Sequence, residues 1–187
     1  MKSMLRVFVL ATALSGIGPL AAQTPEGGDA ERVIFLTRHA EAEYPYQEDP
    51  RDPPLTALGR ERAKALAHAL SSAGVTQILS SGYRRTRSTA APLAQRLGLE
   101  VESYDAQDPQ ATARRLRKLN GRIYVAGHSN TTPELVALLG GDPGAEIDPV
   151  WEHDRLYVVT LDASGGHLST TLVRYGAPSK PPPGDEP

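Results

Sequence analysis

Val33-Ile34-Phe35-Leu36-Thr37-Arg38-His39-Ala40-Glu41 is the stretch on which the reading of this chain turns. Its first four residues are β-branched or apolar, the pattern of a strand buried on both faces. Arg38 and His39 follow at once and leave the core together where the strand ends. In an open α/β sheet the carboxyl ends of the strands open into the crevice where ligands bind. Histidine is the side chain best suited to nucleophilic work near neutral pH, and an arginine beside it holds an anion through a fork of donors. A merely solvated strand end would carry the same two residues, so the rest of the chain has to decide.

Beyond Glu41, residues Glu43 to Pro54 are proline-rich and exclude a regular helix or central strand. They form a loop that follows the Arg-His pair directly and should border any site there. Thr56 caps an expected helix over 57–73 that Gly74 ends. A strand over 76–80, a helix from Tyr83 or Arg84 to Leu97, a shorter strand over 99–103 and a helix over 109–119 with Pro109 in its first turn come next. A buried strand over 122–126 and a helix over 133–139 follow. Residues 156–161 and 168–173 flank a Gly-containing turn as a hairpin. This order predicts an α/β domain: a three-layer α/β/α sandwich with a mainly parallel sheet and a C-terminal β-hairpin, over residues 32–176.

Three of the expected strands end in related chemistry. The first ends at Arg38-His39, the second at Ser80-Ser81 with Tyr83-Arg84-Arg85-Thr86-Arg87 opening the next helix, and the third at Gly127-His128-Ser129-Asn130. Parallel strands put all three ends on one edge. Two histidines and at least two arginines then meet beside helix N-termini, whose free N–H groups also favour an anion. The ligand so described is a dianion, most simply a phosphate group.

These blocks resemble the histidine phosphatase superfamily, which includes the phosphoglycerate mutases. Thr37-Arg38-His39-Ala40-Glu41 is similar to its Arg-His signature, Ser80 to Ala90 to its second block, and Gly127-His128-Ser129-Asn130-Thr131 to its third. The resemblance runs from about Arg32 to Tyr175. It implies that His39 is the nucleophile and forms a phosphohistidine. It implies that Arg38, Arg85 and His128 bind the phosphoryl oxygens and stabilise charge in the transition state. Arg85 is chosen over Arg84 and Arg87 because it lies four residues before Thr89, as in the family block. No cofactor or metal is then required, the arginines supplying positive charge. The proton donor is less legible, because Ser129 stands where one branch of the family has Asp. Asp108 and Asp105 rank first, followed by Glu41, with Asp154 and Glu134 behind them.

Composition limits the remaining choices. The 187 residues suit one domain. The 20 Lys and Arg against 22 Asp and Glu give no basic excess for nucleic acid, and the lack of cysteine removes thiolate chemistry and disulfides. Lys2 and Arg6, the apolar run Val7 to Leu14, the breakers Gly16, Gly18 and Pro19, and Ala21-Ala22 have the layout of a secretory signal peptide over 1–22. Export to the periplasm or medium is therefore expected, with no membrane span after cleavage. Residues 23–31 read as a linker, and residues 177–187 as a disordered proline-rich tail. The leading expectation is a metal-independent phosphohydrolase acting on phosphomonoesters, with the identity of the phosphorylated substrate unknown. The alternatives are a non-catalytic phosphate-ligand binding protein, a phosphohistidine protein phosphatase and a mutase-like phosphotransferase.

Overall fold

The computed structural model describes residues 31–181. The expected signal peptide and nearly all of the expected linker fall outside them. The sheet has six strands in the order β3-β2-β4-β1-β5-β6. These are β1 (Arg32–Arg38), β2 (Gln77–Ser81), β3 (Val101–Tyr104), β4 (Arg122–Gly127), β5 (Arg155–Leu161) and β6 (His167–Arg174). β1 to β4 are mutually parallel where they pair, and the β5–β6 hairpin adds antiparallel to β1.

Side-chain alternation along β1 builds both cores. Ile34 and Leu36 face one side, where they pack with Leu116 of α3 (Pro109–Leu116) and with Leu135 and Val136 of α4 (Thr131–Leu138). Phe35 faces the other, packing with Leu66 of α1 (Ala57–Ala69) and with Ala90 and Leu93 of α2 (Arg84–Leu97). The three layers expected from the sequence are therefore present, each strand face burying one pair of helices.

Several element ends differ from expectation for local reasons. α1 stops at Ala69, short of Ala73, because Ser71 turns its hydroxyl onto the His68 carbonyl and competes with the helix ladder. α3 stops at Leu116, where Lys118 bonds back only three residues to Arg115. α4 starts at Thr131, before Pro133, because a proline in the first turn forgoes an N–H that has no partner within the helix. The tail expected to be disordered from residue 177 begins with defined contacts. The Ala177 carbonyl accepts from Arg62, and Ser179 bonds the backbone of His153 and the carboxylate of Asp154.

The register of the central strands sets the functional edge. Thr37 pairs with Ala126 and Arg38 with Gly127, and Ser80 pairs with Ala126 on the other side of β4. The N–H of His39 donates to the Gly127 carbonyl at 2.8 Å, continuing the ladder by one residue. His39, Ser81 and His128 thus leave the sheet together.

Candidate active site

The imidazole of His39 is 96% buried, and its Nδ1 lies 2.8 Å from the Ala40 carbonyl oxygen. A carbonyl can only accept, so Nδ1 carries the proton and Nε2 holds the lone pair. The turn that fixes this geometry is pinned from two sides. The Ala40 N–H donates to Thr89 Oγ1, and that hydroxyl donates to the Arg85 carbonyl. On the other side His153 donates from Nδ1 to the His39 carbonyl at 3.0 Å, and its ring lies 5.8 Å from that of His39.

His128 lies on the opposite flank, its ring centroid 5.5 Å from that of His39. Its Nε2 is 2.9 Å from Ser81 Oγ, which is 2.7 Å from Thr86 Oγ1. Thr86 spends its one proton on the Tyr83 carbonyl at 2.8 Å, so it accepts from Ser81, and Ser81 in turn accepts from His128 Nε2, which carries the proton. The polar residues of the second sequence block thereby acquire separate tasks: Ser81 and Thr86 orient His128, and Thr89 orients His39.

All three histidines are held below the usual imidazole range. Burial is the main cause in each. The charges of Arg38 and Arg85 add to it for His39 and His128, against the Ala40 hydrogen bond that raises His39. His128 is lowered to about 4. Each folded value lies below the unfolded one of about 6.5, so on acidification the unfolded chain takes up protons first. The stability this contributes is whole above the unfolded value and is lost as pH falls toward the folded ones. Urea midpoints should therefore drop between about pH 7 and pH 5, and His128→Gln should flatten that slope.

Arg38 departs from the free anion fork expected of it. Its Nη1 donates to the Asp148 and Glu152 carbonyls and its Nη2 to that of Pro149, while its buried Nε has no protein partner. The turn that saturates it is itself braced. Arg155 donates to both carboxylate oxygens of Glu152, and Glu152 accepts from the Asp148 N–H. Burial lowers Arg38 to about 10, which leaves it charged at neutral pH. Arg85 packs its guanidinium 4.5 Å from the Tyr83 ring centroid and donates to the Arg51 carbonyl. Its Nε is likewise buried and without a protein partner. Both arginines and both histidines line one cleft of about 620 Å³. Two guanidinium groups lining one cleft fit an oxyanion.

The three acids ranked from the sequence are engaged elsewhere. Asp108 caps α3 by accepting from the Ala111 N–H, and Asp105 accepts from the Gln107 N–H in the preceding turn. Neither lines the cleft. The Glu41 carboxylate is gripped by Arg62, which donates from Nε to both oxygens and from Nη2 at 2.7 Å. Burial raises the Glu41 pKa, but these bonds outweigh it and the group sits below the usual carboxylate range. Among the described residues, Glu134 in the first turn of α4 is the one carboxylate lining the cleft, beside Gln107, Gln110 and Asn130. Asp154 instead binds Arg174 and the Ser179 N–H. Arg62 was not singled out by sequence reasoning as a site-supporting residue, whereas the stretch Trp151 to Asp154 was read as a possible pocket wall. His153 had a signal: β5 runs antiparallel to β1, so its start meets the end of β1.

Comparison with known proteins bears on the family pattern and the fold. The pattern of the histidine phosphatase superfamily (branch 1) matches residues 34–107. The probable phosphoglycerate mutase GpmB of Yersinia enterocolitica is 35% identical over 105 residues, covering 54% of this chain and 45% of that protein. GpmB of Escherichia coli is 32% identical over 104 residues, covering 54% and 44%. The chain thus spans about half the length of the curated relatives it matches. Among solved structures, the protein histidine phosphatase SixA complexed with tungstate superposes with a TM-score of 0.62 at 23% identity, covering 76% of this chain and 95% of that one. A putative α-ribazole-5′-P phosphatase from Escherichia coli gives 0.59 at 16% identity, covering 78% and 96%. At such identities these likenesses establish the fold.

Proposed function

We propose that the chain is a member of the histidine phosphatase superfamily, whose branch 1 pattern matches residues 34–107, and that it is a phosphohydrolase that releases phosphate from phosphomonoesters through a covalent phosphohistidine on His39. The observation that carries this reading is the Nδ1–H bond of His39 to Ala40, which leaves Nε2 unprotonated in a cleft lined by Arg38 and Arg85. In the first step the Nε2 lone pair attacks phosphorus and the ester oxygen leaves with a proton. Arg38, Arg85 and the protonated ring of His128 surround the phosphoryl oxygens, where charge shifts as the bonds exchange. The phosphorylated ring keeps its Nδ1 proton against the Ala40 carbonyl, so it is cationic and a good leaving group. Water then attacks phosphorus and His39 departs neutral, ready for another cycle.

Glu134 is the proton donor in this reading, as the carboxylate on the cleft wall. Glu134→Gln is expected to slow turnover of an alkyl phosphate by about 10²-fold or more, and to affect p-nitrophenyl phosphate little, since nitrophenolate leaves without an acid. Equal effects on both would remove Glu134 from that role. Turnover of an alkyl phosphate unchanged in the variant, beside faster cleavage of a phosphohistidine peptide, would favour the phosphohistidine phosphatase reading, because imidazole needs less help to leave. The function itself is tested by phosphate release from a panel of phosphomonoesters, with and without EDTA. Release insensitive to the chelator is expected, and failure on every ester would contradict the reading.

Export belongs to the same proposal and rests on the layout of residues 1–22. The intact mass of the protein recovered outside the cytoplasm tests it, with cleavage near Ala22 expected and retention of Met1 to Ala22 against it.

A further inference from the structure

A second cavity, of about 860 Å³, adjoins the cleft and shares Arg38, Tyr44 and Pro149 with it. Its chemistry is different. The cleft is walled by Arg85, Gln107, Gln110, Asn130 and Glu134, whereas the second cavity is walled by Leu58, Val150, Trp151 and Pro178. Tyr44, Leu58 and Val150 are 60%, 54% and 72% exposed, so half of the large exposed apolar side chains among the described residues gather at this one place. Apolar surface concentrated beside a polar cleft marks a binding region. Polar groups at its base are already matched: Glu41 is paired with Arg62, and His153 donates to the His39 carbonyl. Ser179 and Lys180 complete the lining.

We infer that this cavity is the leaving-group subsite and that the substrate is a phosphomonoester of a bulky apolar alcohol, aromatic or branched. The inference rests on the hydrolase reading above and specifies its substrate class. A ligand that touches both cavities across Arg38 must carry an anion at one end and an apolar body at the other. The hydroxyls of a sugar or glycerol phosphate would face Leu58, Val150 and Trp151, which offer no side-chain acceptor and at most the indole N–H as donor. Polar groups buried without partners are costly. The apolar body instead removes these exposed walls from water.

The test uses the full chain with ethyl phosphate and 2-phenylethyl phosphate, whose primary alkoxide leaving groups are chemically close. The phenyl ester should have a kcat/KM higher by about tenfold or more, carried mainly by KM. Leu58→Asp and Val150→Asp should each erase that preference while leaving ethyl phosphate turnover within about twofold, since both residues are exposed. The non-hydrolysable 2-phenylethylphosphonate and ethylphosphonate, titrated by calorimetry, give a readout that needs no turnover. If neither ester is hydrolysed, the hydrolase reading fails by itself and the phosphonates decide the subsite. Tighter binding of the phenyl compound, lost in both variants, supports it. Equal affinities, or a preference that survives both substitutions, overturn it. A change of oligomeric state in Val150→Asp with no change in ester preference also overturns it, assigning the apolar face to a second copy of the chain.

Discussion

Phosphate release by His39→Ala is expected to fall by at least about 10⁴-fold, with the fold intact. The size of the loss follows from the role. Removing a nucleophile removes the whole two-step path, and the donors left behind offer only binding to water's slow attack. The buried ring also packs between His128 and His153, so His39→Gln is the better-matched partner variant, and its urea midpoint should stay near that of the parent. It should be as inactive as the alanine variant. A phosphate-release rate within tenfold of the parent in either variant would mean that His39 is not the attacking group.

Arg62→Met is expected to cost about 3–5 kcal/mol of stability, the largest single loss outside the core. Arg62 lies in α1 with its side chain 2% exposed, and it holds three separate pieces of the chain together. It pairs with Glu41 just beyond the His39–Ala40 turn, and it donates to the carbonyls of Tyr175 and Ala177 after the last strand. Methionine fills a similar volume but strands a carboxylate that is 16% exposed. The double variant Arg62→Met/Glu41→Gln should recover part of the loss, because a neutral amide is cheaper to bury than an unpaired charge. Gly59 shows how tightly this corner is packed: a Cβ there would stand 2.1 Å from the Glu41 carbonyl oxygen, which accepts from the Thr56 N–H. Urea denaturation of the single and double variants measures both effects. Full additivity would indicate that the pair does not act as one unit.

The parts of the site that could be read from the sequence are those encoded along one strand and its end. The apolar run of β1 followed by Arg38-His39, and that of β4 followed by Gly127-His128, announce both the buried strand and the residues that leave it. Parallel pairing does the rest. The Thr56 cap and the Gly98 stop were equally local, with Thr56 Oγ1 accepting from the Gly59 N–H and Gly98 adopting a left-handed conformation. What escaped was set by contacts distant in sequence. Arg62 sits among charged residues of an amphipathic helix and reads as surface, because its partners lie 21, 113 and 115 residues away. The carbonyls that occupy Arg38 come from a turn about 110 residues on, and nothing in a strand-end arginine foretells that its Nη atoms face backbone. The capping role of Asp108 had a local signal. An aspartate directly before a proline that opens a helix is an N-cap signature, and a carboxylate spent on the Ala111 N–H is poorly suited to proton donation.

The burial of His39 and His128 also explains why so many hydroxyls surround them. A buried neutral imidazole has two nitrogens to satisfy, and each tautomer is set by the bond made at the far nitrogen. Ala40 fixes one ring, while the Ser81–Thr86 pair fixes the other.

The most direct test of the central claim is to stop the reaction of the protein with a phosphomonoester in alkali, where phosphohistidine survives and phosphoserine does not, and to locate the phosphate by peptide mass spectrometry. Phosphate on His39, formed at a rate no slower than turnover and absent from His39→Gln, is the result this account predicts. Rapid phosphate release with no phosphorylated His39 at any time, or with phosphate carried by another residue, would contradict it.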